Sequence, residues 1–498
     1  MNISTYHDLI YIANITVGGV DYPVQLDTGS SDLFIHGETS PLPGTTKTYA
    51  IGWAAGHVGY APVKFLGNKV ANQGFLDATD VKNPALSYGA QGIAGLGFNR
   101  LSLLDNTVNK TNSAAGRSLL YSLFAANTST PNFLAFALQR GNQPGDDVQG
   151  TFSIEYAHVT ASNRISTWPV SNPARWNVLV DAVIVNNSIV VPSTKVSSAP
   201  SNKAVALMDS GSSYTYAPKG VCDAIYSDVP GASYDSTQSY WIVPCGVEIN
   251  MALQIAGEMF PVHPLDVSPT STVDPTKCVG SFVPQNFAVG NDFDWIVGDN
   301  FLRSVYSMYD FGDFDSNNVM GDPYMKLLSI TDPDEASAEF HQLRGGSPKH
   351  NITFTGLDGA SIAPSFSISN DISESLELIG KFIPAMLGIV ALNALVVIVC
   401  CIVWLVSCCK KRNRARVLAR QMRTPRSRMS PAPHVIAAMM SPDSRNSYIA
   451  GEPPSPGPHN YEPVSMALTE DTFVPPSPAF HRFEQKKMVP GDRPVSVA

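Results

Sequence analysis

The sequence predicts an all-β domain in its first 335 residues, and three observations carry that prediction. Glycine and proline are frequent, 37 and 38 among 498 residues, and they punctuate short runs rather than long ones. Those runs (DLIYIANITV, YPVQLD, GTFSIEY, NVLVDAVIVNNSIVV and YSMYDF) are rich in β-branched and aromatic residues between turn signals. No extended helical apolar period appears before about residue 375. With 44% apolar and 15% charged residues the chain has ample material for a large core, and its length allows two to four domains.

The pattern changes from Phe382 to Cys409, where FIPAMLGIVALNALVVIVCCIVWLVSCC holds 28 residues without a charge. About 20 apolar residues suffice for a helix to cross a bilayer, so this segment is predicted to be a single transmembrane helix. Lys410–Arg416, KKRNRAR, follows at once. Positive charge collects on the cytoplasmic side of a span, which places the C-terminus in the cytoplasm and makes the chain type I. Residues 336–381, Ser- and Gly-containing and of low periodicity, read as a stalk. Residues 410–498, with Thr-Pro or Ser-Pro at 424, 430, 441, 455 and 477, read as a disordered tail open to proline-directed phosphorylation or simply disordered.

Charge divides the same way. The tail carries 14 Lys and Arg against 7 Asp and Glu, so a chain of net charge −9 has about −16 ahead of the tail. That acidity discourages a nucleic-acid partner. Glycosylation sequons stand at Asn2, Asn14, Asn109, Asn127, Asn186 and Asn351, all before the span. The first 335 residues are therefore predicted to face the lumen of the secretory pathway, a vacuole or the cell exterior. Met1 opens without a basic, apolar leader, which implies an upstream extension in the precursor.

Four of the seven cysteines, Cys400, Cys401, Cys408 and Cys409, lie in the span; the last two, at its cytoplasmic edge, are palmitoylation candidates. Of the other three, Cys222 sits in a helix-like GVCDAIYSDV, and an oxidising compartment permits a Cys245–Cys278 bridge. Three free thiols are the alternative.

Chemistry enters with a repeat. VQLDTGSSDLFIHG, Val24 to Gly37, is nearly copied 182 residues on as VALMDSGSSYTYAP around Asp209. A single copy reads as a strand running into a tight turn. The repeat extends further, because GIAGLG (Gly92–Gly97) follows the first copy and WIVGDNF (Trp295–Phe301) the second, each an apolar run ending in glycine. Two carboxylates held close cannot easily both ionise; sharing one proton, they supply a base for water and an acid for a leaving amine. Their apparent pKa values belong to the pair.

These residues resemble the pepsin-type aspartic proteases, in which two similar β lobes each contribute one D-T/S-G-S/T. The resemblance covers about residues 8–330 and includes WPVSNPARWNVLVDAVIVNN, where that family enters its second lobe. It implies a bilobal all-β fold, with lobes over 1–170 and 171–335. It also implies an endopeptidase of acidic pH, acting on protein or peptide substrates with Asp27 and Asp209 as the catalytic pair. Thr28, Gly29, Ser30, Ser210, Gly211 and Ser212 would be their supports, with the Ser30 and Ser212 hydroxyls on the outer carboxylate oxygens. No cofactor and no metal is expected, and the chain is expected to be monomeric. The family's flap tyrosine has Trp53 in its place within YAIGWAAGHVGYAPV, with Tyr49 and Tyr60 as other aromatics of the stretch, and Phe34 stands where a tryptophan is usual. Both changes imply altered flap behaviour. The competing function is a catalytically silent relative that binds peptides or glycans, against which stand two intact D-T/S-G-S-S elements.

Overall fold

The computed structural model describes residues 2–6, 8–37, 47–51, 54–108, 115–140, 149–154, 163–186, 188–272, 274–285, 292–317, 319–359 and 462–463. The predicted span at 382–409, its cysteines and nearly all of the tail lie outside the described residues, as do Trp53 and Asn109. Among the described residues no helix is long and apolar enough to cross a membrane.

The fold is mostly β, in two principal sheets. The first contains Asn2–Tyr6, Ile10–Val17, Val20–Asp27, Gly92–Gly95, Leu33–Ile35, Asn68–Val81 and Ala54–Phe65 in that spatial order. Its other side continues through Gln149–Ile154 and Phe133–Ala137 into Val305–Asp310 and Tyr324–Ser329. Strands from the end of the second half thus complete the sheet of the first, with Tyr306 opposite Ala137 and Asp310 opposite Phe133. A boundary at residue 170 does not divide the sheets, because Val305–Asp310 and Tyr324–Ser329 return to pair with strands before it.

The second sheet is built on Asn177–Val185, which pairs antiparallel with Ala204–Met208, Met251–Ile255 and Ser188–Val190. Eight of the nine residues of NVLVDAVIV are buried. A strand covered on both faces needs such a run rather than alternation. A small third sheet joins Ser233–Asp235, Tyr240–Val243 and Cys278–Val279. Beside it Cys245 and Cys278 form a disulfide, closing 33 residues, and Cys222 is a buried free thiol.

The stalk expected over 336–381 does not begin where expected. Pro333–Arg344 is an α-helix, started by Asp332, whose carboxylate accepts from the N–H groups of Asp334 and Glu335 at 2.9 and 3.1 Å. Pro333 occupies its first turn, and the chain leaves it at Gly345 with φ +79°. Phe340 is fully buried. Beyond it Phe354 packs with Ala182, Ile184, Ala252 and Met259, so residues 336–359 belong to the packed domain. The capping residues Asp332 and Pro333 and the double glycine 345–346 are the local signals that low periodicity concealed.

Candidate active site

The two repeats form the same substructure. Val20–Asp27 runs parallel to Gly92–Gly95, placing Asp27 opposite Gly95, and Leu33–Ile35 returns antiparallel on the other side of that strand. Ala204–Met208 runs parallel to Trp295–Val297, and Thr215–Ala217 returns beside it in the same way. The tight loop between the first and third strands projects the aspartate. Gly97 N–H donates to Ser30 O at 2.7 Å, and Asp299 N–H donates to Ser212 O at 2.8 Å.

Asp27 and Asp209 face each other across the meeting of these loops. A Cβ added at Gly29 would stand 2.5 Å from Asp209 Oδ1, and one at Gly211 2.3 Å from Asp27 Oδ1. Any larger residue at either position would collide with the opposite carboxyl group. Each carboxylate is held alike. Gly29 N–H and Gly211 N–H donate to the Oδ1 atoms of Asp27 and Asp209, both at 2.8 Å. Ser30 Oγ and Ser212 Oγ donate to the Oδ2 atoms at 2.5 and 2.7 Å.

Asp209 is fully buried, whereas Asp27, Gly29 and Gly211 keep some exposure. Loss of water and the neighbouring Asp209 carboxyl push Asp27 well above the ordinary aspartate range, against the pull of Ser30 and Gly29.

Thr28 and Ser210 lock the loops together. Thr28 Oγ1 accepts from Ser210 N–H at 2.9 Å and donates to Met208 O at 2.8 Å; Ser210 Oγ accepts from Thr28 N–H at 3.2 Å and donates to Leu26 O at 3.0 Å. Gln25 adds a third tie, its Nε2 donating to Gly211 O at 3.0 Å. Behind the loops Trp176 is fully buried, donating its Nε1–H to Leu96 O at 3.2 Å and accepting Met208 N–H at 2.9 Å. Gln25 and Trp176 both stand within stretches quoted from the sequence, VQLDTGSSDLFIHG and WPVSNPARWNVLVDAVIVNN, but nothing local gave them a role. Their roles depend on contacts between segments far apart in the chain.

Asp32 also stands within VQLDTGSSDLFIHG without a role read from the sequence. Buried beneath the first loop, it accepts from Ser102 Oγ at 2.5 Å and Leu103 N–H at 2.8 Å, at the start of the helix Leu103–Val108. The motif DTGSSD therefore ends in a residue that ties the loop to that helix.

A hairpin pairs Lys47–Ile51 with Ala54–Phe65, with Ile51 opposite Ala54 and Tyr49 opposite Gly56. Trp53, expected to be the flap aromatic, falls in the two-residue connection outside the described residues. Phe34 is buried among Ala54, Val58, Leu76 and Ala78, so it supports this hairpin from below. Tyr60 lies further along the hairpin, opposite Gly74. Among the described residues no group of His, Cys, Asp and Glu is arranged to hold a metal ion.

Comparison with known proteins agrees with this geometry. Residues 44–319, more than half of the chain, match the family model for eukaryotic aspartyl proteases. That match begins after Asp27, so it is the structure that joins the first carboxylate to the second. The chain is 31% identical over 332 residues to "Aspartic protease" of Phaffia rhodozyma, covering 61% of this chain and 74% of the relative. It is 24% identical to "Major aspartyl peptidase 1" of Cryptococcus neoformans, covering 61% of this chain and 66%, just under two thirds, of that relative. It is 26% identical to "Vacuolar protease A" of Aspergillus fumigatus, covering 64% of this chain and 82% of the relative. The chain belongs to the eukaryotic aspartyl protease family and is an aspartic-type endopeptidase.

Proposed function

We propose that Asp27 and Asp209 are the catalytic residues and hold the hydrolytic water between them. The observation that carries this is the matched cage: each carboxylate receives one glycine N–H on Oδ1 and one serine hydroxyl on Oδ2. The pair carries one proton. As the water oxygen bonds to the peptide carbonyl carbon, the ionised carboxylate takes the water proton, and the protonated carboxyl gives its proton to the carbonyl oxygen. Collapse of the tetrahedral diol breaks the C–N bond as the protonated carboxyl gives its proton to the leaving amine and the ionised one takes a hydroxyl proton from the diol, which returns the pair to its one-proton state. Both carboxylates are needed, and one proton must be shared. The expected profile against pH is a bell on the acid side.

The Asn variants of the two aspartates test this. Asp27→Asn and Asp209→Asn should each abolish cleavage of an unfolded protein between pH 2 and 8 while leaving the thermal transition near that of the wild type. Normal activity in either variant sinks the assignment, as does wild-type cleavage that resists pepstatin.

We further propose that the enzyme is a type I membrane protein, its protease domain lumenal or extracellular. Supporting this are the uncharged run 382–409 with its basic flank and the confinement of sequons to the residues before it. Asn14, Asn127, Asn186 and Asn351 are exposed, as glycosylation sites must be. Carbonate extraction leaving the full chain in the membrane fraction, with a mass decrease on N-glycosidase treatment, is the expected outcome; release into the soluble fraction would rule out the span.

A further inference from the structure

A pocket of about 460 Å³ opens where segments from both halves of the chain meet, and none of its lining residues belongs to either aspartate loop. Its apolar wall is formed by Phe98, Phe311, Met320 and Pro323. Phe98 and Phe311 pack on the buried Trp176, with ring centres 4.3 and 4.7 Å from it, so the wall continues the packing behind the aspartate loops.

One part of the lining is polar. Ser118 lines the pocket and immediately precedes the helix Leu119–Ala126. A serine at that position ordinarily turns its hydroxyl onto the first N–H groups of the helix. Ser118 makes no such cap, and its Oγ has no hydrogen-bond partner among the described residues although the residue is only 3% exposed. Asn99, another lining residue, accepts the Ser118 N–H on Oδ1 at 2.7 Å and donates from Nδ2 to Asp105 at 2.8 Å. The N–H groups that follow are left without a side-chain cap, and no acidic residue stands in the first turn. A buried hydroxyl without a partner and an uncapped helix start both call for an acceptor. The helix dipole favours a negatively charged one.

The surrounding charges limit what that acceptor is. Arg100, exposed and next to Asn99, donates one Nη1–H to Asn172 O at 2.7 Å, which leaves the rest of its fork without a partner among the described residues. Arg117 adds a second positive charge, its guanidinium 4.6 Å from the centre of the Tyr121 ring in the first turn. Asp322 is the one acidic residue of the lining, and it disfavours a second negative charge on the ligand. The complement is a single carboxylate joined to an apolar body.

We propose that this pocket binds an apolar monocarboxylate. Ser118 Oγ, the first N–H groups of Leu119–Ala126 and Arg100 hold the carboxylate, and Phe98, Phe311 and Met320 cover the apolar part. Two sources share that chemistry: a peptide C-terminus ending in an apolar residue, and a fatty acid. The site is separate from the aspartate pair and does not depend on its being catalytic.

The test is titration calorimetry on the full-length protein with N-acetyl-L-phenylalanine and with hexanoate, each beside its neutral amide. It is run at about pH 6, above the ordinary carboxyl range, so that both acids are ionised. At least one acid should bind, about tenfold more tightly than its amide. Ser118→Ala and Arg100→Gln should each weaken binding of the acid by about fivefold or more and leave binding of the amide unchanged. Binding of N-acetyl-L-phenylalanine alone assigns the site to peptide ends, binding of hexanoate alone assigns it to fatty acids, and binding of both assigns it to apolar acids in general; each supports the site. No binding of either acid, equal affinity for acid and amide, or wild-type affinity for the acid in either folded variant overturns it. If Ser118→Ala fails to fold, the exposed Arg100→Gln decides by the same criterion.

Discussion

Thr28 and Ser210 hold each other by reciprocal bonds, each hydroxyl taking the other's backbone N–H and passing its own proton to a carbonyl of the opposite strand. All four groups are buried. The arrangement sets the separation of the two aspartates, which immediately precede these residues, so under the proposed mechanism it would act on catalysis without touching substrate.

Replacing Thr28 by Val keeps the shape and removes both functions of the hydroxyl. A buried N–H at Ser210 and a buried carbonyl at Met208 would then lack this partner, at a cost of about 2 kcal/mol. The expected outcome is a lower denaturation midpoint together with a larger loss in kcat than in KM. Thr28→Ser should restore most of both, and a Val variant with wild-type kcat would show that the spacing of the pair is set elsewhere.

Stability should fall as pH rises above the ordinary carboxyl range. Asp27 and Asp299 both have folded-state pKa values raised above the unfolded value, Asp299 by burial foremost and then by Asp209 and Asp27, with Arg303 opposing. A raised carboxyl binds its proton more tightly in the folded state. Stability is therefore greatest below the unfolded pKa near 4 and is lost towards the folded pKa, at up to about 1.4 kcal/mol per pH unit for one group. Asp266, held low in spite of its burial by Arg303 and Arg140, has the opposite dependence and acts only at lower pH.

Asp299 isolates this effect, since it is fully buried and neither oxygen has a hydrogen-bond partner among the described residues. Asp299→Asn removes its charge at nearly constant shape. Urea midpoints from pH 4 to 7 should decline less steeply in the variant than in the wild type. Parallel slopes would mean that Asp299 does not titrate differently on unfolding, which would overturn the raised folded-state pKa.

The duplicated motif made the candidate site legible, because two carboxylates followed by Gly and Ser demand a paired, turn-bound geometry. Thr28, Gly29, Ser30, Ser210, Gly211 and Ser212 were visible for the same reason. The roles of Gln25 and Trp176 were not, since their partners Gly211 and Leu96 lie in the other half of the chain and no local pattern marks such contacts. The β class was readable from short apolar runs, whereas the return of Val305–Asp310 and Tyr324–Ser329 to the first sheet depends on long-range pairing. Helix Pro333–Arg344 was overlooked because only a narrow face, Ala336, Ser337 and Phe340, is buried; a weak apolar period hid a well-capped helix.

The disulfide should contribute through the unfolded chain. Cys245–Cys278 closes a loop of 33 residues, for which chain entropy suggests about 4 kcal/mol. Replacing both cysteines by Ser should lower the melting temperature without changing the pH optimum, because the bridge sits beside the small sheet and makes no contact with Asp27 or Asp209. A shifted optimum would reveal coupling between that sheet and the site.

The helix Pro333–Arg344 should matter to activity as well as stability, because its contacts lead to the second aspartate loop. Glu339 meets His263 at 3.1 Å, and His263 opens the short helix Pro264–Val267. In that helix Asp266 pairs with Arg303 at 2.8 Å, and Arg303 closes the helix Asp299–Leu302, whose first N–H is bonded to Ser212 O. Phe340 anchors the outer end of this chain of contacts and is fully buried, while Leu343 on the same helix is 47% exposed. Phe340→Ala should cost about 3–5 kcal/mol and lower the temperature at which proteolysis is lost, and Leu343→Ala should change neither by more than about 0.5 kcal/mol. Calorimetry read beside residual activity separates two outcomes. Coincident losses place the helix within the cooperative unit that carries Asp209; an early transition with activity intact would make it a separately melting appendage.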